Sequence, residues 1–155
     1  MKNASNIVVE SSIDGISRIR LNEPSTYNAL SSKTLESLIN IFKSLNNKNE
    51  TKVIIIEGSG KGFSGGHDLK EIRSLKKKSK YKKLFNLCSK LMLEIVEGRK
   101  PVIAKVHGAA FAAGCQLVAS CDLAVSSDDA IFATPGVNIG LFCSTPMVAV
   151  SRKVS

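Results

Sequence analysis

The sequence predicts an α/β protein, and three observations carry that expectation. β-Branched runs such as Val53-Ile54-Ile55-Ile56 alternate with segments of helical periodicity. Two of these strands run directly into glycine- and alanine-rich turns, at 58–66 and 108–114, and a helical segment follows each. The 155 residues are 43% hydrophobic and 23% charged, which is ordinary globular usage and excludes a disordered, collagenous or disulfide-scaffold chain. A single domain over residues 1–155 is expected from that length.

The elements follow in order. Ile7-Val8-Val9 and Ile16 to Leu21 read as two strands of a hairpin turning at Asp14-Gly15. Pro24 and Asn28 mark a loop. Ser31 or Ser32 caps a helix whose apolar positions Leu35, Leu38, Ile39, Phe42 and Leu45 fall on one face. Val53 to Ile56, continuous and β-branched, is expected to be buried on both faces. After the glycine-punctuated loop a helical region runs to Glu97, with Leu84, Leu87, Leu91 and Ile95 on one side. Val102 to Val106 is the next buried strand, 108–114 a small-residue loop, and Cys115 to Ser120 opens a helix. Leu123-Ala124-Val125 and Ile131-Phe132 read as two short strands, and a further helix begins at Pro146.

The formal charge is +9, and +7 of it lies between Lys70 and Lys83. The charge therefore belongs to one patch rather than to the whole surface. Cys88, Cys115, Cys121 and Cys143 form no CxxC pair, and His67 and His107 complete no zinc spacing, so free thiols in a reducing compartment and no metal are expected. The residues after Met1 carry no apolar core and no arginine-rich pattern, so neither a secretory signal nor a transit peptide is read there. The longest apolar stretch, 101–119, contains Lys105, His107 and Gln116 and does not read as a membrane span. A cytoplasmic protein is expected.

The two strand-to-helix turns share a design. Small residues let a ligand approach the backbone, and the first turn of a helix leaves N–H groups unpaired at the positive end of its dipole. Two such turns facing each other make a two-donor anion site. The same pattern also serves as a plain packing device, and spacing alone leaves both readings open.

The residues themselves go further. Asn28-Ala29-Leu30, Phe63-Ser64-Gly65-Gly66-His67-Asp68-Leu69, Lys100 to Leu117 and Cys121-Asp122-Leu123-Ala124 together resemble the enoyl-CoA hydratase/isomerase (crotonase) family, over nearly the whole chain and in the family's order. The segments 113–122 and 133–146 look closest to one branch of it. The resemblance implies a crotonase-like spiral of repeated ββα units, here without its C-terminal helical part. It implies an acyl-CoA or enoyl-CoA thioester as substrate, with coenzyme A as part of that substrate and no separate cofactor. It further implies a homotrimer or dimer of trimers at full length, and neither nucleic acid nor membrane as partner. Members of the family continue well beyond Arg152, so exposed apolar surface is expected here.

Carried over residue by residue, the two backbone N–H groups that hold the thioester oxygen fall on His67 and Ala113. Gly65, Gly66, Asp68, Lys70, Gly114, Pro135 and Cys143 fall around the bound acyl-CoA. The imidazole of His67 is left as a solvent-facing or CoA-packing group, or as an acid or base. Asp68 is expected to cap the next helix. The two glutamates that hydratases of the family use fall on Gln116 and Gly136. Glutamine holds a water but cannot take its proton, and glycine offers no group at all. Ordinary hydration is therefore not expected, and two alternatives stand: a lyase or isomerase that stabilises a thioester enolate, or a non-catalytic acyl-CoA-binding or oligomer-modulating protein. Cys143 and Ser144 are the remaining polar groups on that wall, and the lysine run is a solvated face, a neighbour for CoA phosphates or a nucleic-acid surface.

Overall fold

The computed structural model describes residues 6–11 and 14–154. Strands β1 (Ile7–Ser11) and β2 (Ile16–Leu21) pair antiparallel with Ile7 opposite Leu21, as the hairpin signal predicts. Residues 12 and 13 of their connection lie outside the described residues. A 3₁₀ turn at Pro24–Thr26 leads to α1 (Ser32–Asn47), where the Ser31 hydroxyl accepts the Thr34 N–H at 3.2 Å. Strand β3 (Val53–Gly58) then lies parallel to β2. Next come α2 (Leu69–Ser74), α3 (Lys78–Val96) and β4 (Val102–Val106), the last parallel to β3. A short strand β5 (Ala109–Phe111), α4 (Ala113–Ser120), β6 (Leu123–Ser126), β7 (Ile131–Ala133), a 3₁₀ segment at Pro135–Ile139 and α5 (Ser144–Ser151) complete the order. The main sheet has the order β1-β2-β3-β4-β6, and β5 pairs with β7 in a second, two-stranded parallel sheet.

Three expectations need correction. β3 is not buried evenly on both faces: Ile54 and Ile56 are fully buried, whereas Val53 and Ile55 are half-buried. The run of β-branched residues conceals an ordinary alternation. The helical region before Glu97 is two helices, broken at residues 75–77 where Leu75 turns extended and closes α2. The 108–114 segment contains β5, whose alanines pair with β7 although their composition signals no strand.

The core joins the inward faces of the sheet and helices. Leu35, Leu38, Phe42 and Leu45 of α1 share one buried cluster with Ile54 and Ile56 of β3 and Leu84, Leu91 and Ile95 of α3. Across the sheet Glu57, only 6% exposed, takes bonds from Arg20 Nε (2.8 Å) and Lys105 Nζ (3.0 Å). Burial pushes its carboxyl upward, but the two cations outweigh that and hold it below the ordinary range. Asp122 ties the helix end to β4 by accepting the Val102 N–H at 2.8 Å. Leu123, Val125, Ile131, Phe132, Val137, Ile139 and Phe142 are exposed, consistent with the apolar surface expected from the resemblance.

One buried side chain organises the loop after β3. Asn28 is 2% exposed and sits at φ +53°, a conformation asparagine tolerates better than most residues. Its Nδ2 donates to the carbonyls of Ser59 (2.9 Å), Gly62 (3.0 Å) and Phe63 (3.1 Å), and its Oδ1 accepts the Glu23 N–H at 2.9 Å. Asn28→Ala would strip partners from four buried or half-buried backbone groups. At roughly 1–3 kcal/mol for each group left unsatisfied, partly relieved by water, a net loss of about 3 kcal/mol is expected in urea unfolding. A loss below ~1 kcal/mol would show that the clamp is dispensable.

Candidate active site

The site begins with the way three loops are stitched together. Gly65 N–H donates to Tyr27 O (2.8 Å), Leu30 N–H to Gly66 O (2.8 Å), and the Ser64 hydroxyl to Asn28 O (3.0 Å). The 27–30 segment thus holds the 64–66 turn. On the other side Ser64 N–H donates to Ala109 O (3.0 Å) and Phe111 N–H to Ser64 O (2.9 Å), so the same turn is fastened to β5. Ala112 N–H donates to Ala133 O (2.8 Å), which brings the segment after β7 alongside.

Two glycines permit this approach. A Cβ on Gly66 (φ +91°) would lie 2.9 Å from Phe111 O and 3.2 Å from Ala113 N. A Cβ on Gly114 would collide with Ser64 O and stand 2.9 Å from Ser64 Cβ. The two strand-to-helix turns predicted to share a design are therefore in direct backbone contact. Next to them, Ala112 occupies φ +48°, ψ −116°, a conformation that costs a residue with a Cβ on the order of 1–3 kcal/mol. Its consequence is that the Ala113 N–H starts α4 at the junction with Gly66. Among the described residues neither the His67 nor the Ala113 backbone N–H has a hydrogen-bond acceptor.

The remaining predicted residues fall into two groups. Asp68 caps α2, its Oδ1 accepting from Lys70 N (2.8 Å) and Glu71 N (3.2 Å), and Lys70 is exposed at that helix start. The other lysines of the run are exposed on α3 and the residues before it. The second group is Pro135, Gly136 and Cys143. Gly136 is buried, and a Cβ there would collide with Leu141 O and lie 2.6 Å from Cys143 Sγ. The direction in which a side chain would leave residue 136 is thus filled. Cys143 is half-buried at the start of α5; Cys88, Cys115 and Cys121 are buried free thiols. Burial pushes Cys88 and Cys121 up to about 12 and raises Cys115, as befits inert core thiols.

Gln116 lies one turn into α4, 5% exposed. Its Oε1 accepts from Thr145 Oγ1 (3.2 Å) and, weakly, from Cys88 Sγ (3.9 Å). Thr145 was not among the residues the sequence singles out, because nothing in its neighbourhood distinguishes it from other helix-start threonines. Asn28, Ser64 and Ala112 were legible only as members of motifs, since their work is done through backbone contacts distant in sequence.

The imidazole of His67 is half-buried. It packs edge-on against Phe85, with centroids 5.4 Å apart, and its Nδ1 lies 3.2 Å from Leu30 O. Burial lowers its pKa below the ordinary value, against smaller opposing effects of Leu30 O and Glu71. The unfolded chain therefore binds this proton more readily. Stability should be complete above the unfolded value near 6.5 and fall as pH drops below it, by less than about 1.4 kcal/mol per pH unit. Urea unfolding between pH 7.5 and 5.5 should show this slope in the native chain and not in His67→Gln. An equal slope in both would remove the assignment.

Two substitutions test the loop contact. Gly114→Ala should cost about 2 kcal/mol, because the clashing atom is backbone and Ser64 is held on both sides. Ala112→Gly should be neutral or stabilising by up to ~1 kcal/mol, because glycine adopts that conformation freely. The reverse order of stabilities in thermal unfolding would contradict the geometry.

A profile of the enoyl-CoA hydratase/isomerase family matches residues 11–154. The human enoyl-CoA hydratase domain-containing protein 3, mitochondrial, is 52% identical over 142 residues, covering 92% of this chain and 47% of that protein. An enoyl-CoA hydratase crystal structure from Mycobacterium smegmatis superposes with a TM-score of 0.96 at 46% identity, covering 98% of this chain and 59% of the other. The crystal structure of the human domain-containing protein 3 gives 0.91 at 49% identity, over 96% and 58%. The branch indicated by the sequence motifs and the crotonase-like fold class are thereby both found. This chain spans about half the length of the curated relatives it matches. Among the described residues no helix is long and apolar enough to cross a membrane.

Proposed function

The chain belongs to the enoyl-CoA hydratase/isomerase family, and we propose that it binds acyl-CoA thioesters and polarises the thioester carbonyl through the backbone N–H groups of His67 and Ala113. The observation that carries this reading is that both amides lack an acceptor among the described residues, on two turns that Gly66 and Gly114 allow into contact. A thioester oxygen gains negative charge when the α-carbon loses its proton to a solvent base such as hydroxide, which leaves as water. Two preorganised donors oppose that charge at no cost in reorganisation, each worth roughly 2.7–4 kcal/mol of transition-state stabilisation. The start of α4 adds the positive end of a helix dipole.

In this reading the reaction is enolate chemistry and not two-glutamate hydration. Gln116 cannot take a proton from water, and Gly136 has neither a side chain nor the space for one. Lys70, exposed beside the first turn, would neighbour the phosphates of coenzyme A, with Gly65, Asp68, Pro135 and Cys143 around the ligand. No separate cofactor enters. A homotrimer or dimer of trimers is the assembly proposed for the full-length protein. The proposed compartment is a reducing one, the cytoplasm or, as the names of the vertebrate relatives suggest, the mitochondrial matrix.

A second reading is acyl-CoA binding without turnover. It is favoured by the filled space at Gly136 and by the Asp68 carboxylate being taken up as the cap of α2. Butanoyl-CoA in heavy water separates the two. Deuterium entering the α-carbon above the buffer rate, and falling by about 10²–10³-fold in Gly66→Ala, supports the enolate reading. Binding without exchange supports the second, and no binding in native mass spectrometry contradicts both. Gln116→Glu alone is expected to yield no hydration of crotonyl-CoA, because residue 136 still supplies no partner.

A further inference from the structure

Beyond Lys70, the lysine run has no part in the candidate site. Residues 70–83 hold eight cations and one acid, and six of the eight residues from Lys76 to Lys83 are lysines. All eight cations are exposed, and among the described residues Lys83 alone of them forms an ion pair, with Glu36 at 3.8 Å. Glu71, the one acid, is engaged with α1, its Oε2 accepting the Ser32 N–H at 2.8 Å. A face that merely meets water ordinarily mixes its charges. Here Lys78 and Lys82 stand four residues apart on α3, and Lys80 and Lys83 three apart, spacings at which like charges destabilise a helix. The lysines also gather at the positive end of the α3 dipole, with no carboxylate in its first turn. An anionic partner relieves both costs. The run is no loose tail. Leu75, between α2 and α3, packs against the core, and the Tyr81 hydroxyl donates to its carbonyl at 2.8 Å. The lysines are thus carried on a fixed frame, and docking them costs little further order.

We propose that the Lys76–Lys83 surface docks the chain on the face of an anionic phospholipid bilayer. Clusters of about four to eight basic residues on a helix supply that attraction. Lysine is a compact point charge suited to a diffuse anionic surface, whereas nucleic-acid recognition favours guanidinium forks and exposed aromatic planes. The run has one arginine, Arg73, and Tyr81 is half-buried. Leu69, adjacent to Lys70 and 57% exposed, adds an apolar side chain of the kind a headgroup layer accepts. The family resemblance implies no membrane partner, and the proposal departs from that expectation. Docking on a surface needs no spanning helix, and among the described residues none is long and apolar enough to be one. α3 also brings Phe85 against the His67 ring at 5.4 Å, so the docking helix adjoins the first turn of the candidate site. Docking holds that site beside lipid, where long acyl chains partition; this consequence alone rests on the acyl-CoA reading.

The test is co-sedimentation of the chain with vesicles of equal parts phosphatidylserine and phosphatidylcholine, against vesicles of phosphatidylcholine alone. The chain should sediment with the first at low salt, not with the second, and be released as salt is raised. Lys77→Gln, Lys78→Gln and Lys80→Gln together should weaken binding about fivefold per lysine, roughly 10²-fold in all. A control triple, Lys48→Gln, Lys52→Gln and Arg99→Gln, removes the same charge from exposed cations away from the run and should weaken binding by less than about threefold. The first triple variant loses like-charge repulsion, so its thermal midpoint should equal or exceed that of the native chain. A lower midpoint would contradict the charge argument behind the proposal. Equal losses in the two triples, equal binding to both kinds of vesicle, or no sedimentation with either would overturn it. Tighter binding to duplex DNA than to the anionic vesicles would assign the surface to nucleic acid and overturn it as well. The assay contains no thioester, so its failure leaves the acyl-CoA reading standing, and failure of that reading leaves the docking result standing.

Discussion

Everything proposed for the thioester site of this molecule depends on the Asn28 carboxamide. It spends both ends on backbone, three carbonyls of the loop after β3 on one side and the Glu23 N–H on the other. That loop would otherwise carry buried peptide groups with no strand partner, a situation native structures rarely tolerate. Once it is fixed, Ser64 is fixed, and Ser64 ties the first turn to β5 through its N–H and carbonyl and to the 27–30 segment through its hydroxyl. The amides of His67 and Ala113 inherit their positions from this chain of contacts. Rigid secondary elements alone would not set them, because His67 lies in the loop between β3 and α2 and Ala113 is the first residue of α4.

The same economy bears on the proposed chemistry. In a site that relies on backbone donors, side chains are free to change without loss of the fold. At Gly136 the change has gone further than deletion of a group, since Leu141 O and Cys143 Sγ occupy the departure direction of any side chain. At Gln116 the amide oxygen is committed to α5 and α3, leaving a donor where a hydratase would place an acceptor of protons. In the proposed site both departures stand against water activation.

The fold was legible where local pattern and burial agree. The α1 stripe Leu35, Leu38, Ile39, Phe42 and Leu45 is fully read from its spacing, because each of those positions is buried. The β5 strand was not, because Ala109 and Ala110 have no β preference of their own and are extended only through pairing with β7. The same limit applies to the site. His67 and Ala113 could be placed from motifs, and the Asp68 cap from its residue type and the helix behind it. The imidazole could not, because its fate depends on Phe85 and Leu30, eighteen or more residues away in sequence. The strained Ala112 left no signal, since alanine at a positive φ is enforced by neighbours and not announced by composition.

The most direct measurement is infrared difference spectroscopy of a ¹³C-carbonyl-labelled butanoyl-CoA bound to the protein. Two hydrogen bonds from His67 and Ala113 withdraw electron density from the thioester carbonyl, so its stretch should move to lower frequency than in water and move back in Gly66→Ala. A bound thioester with a stretch unchanged from solution would contradict the account at its centre.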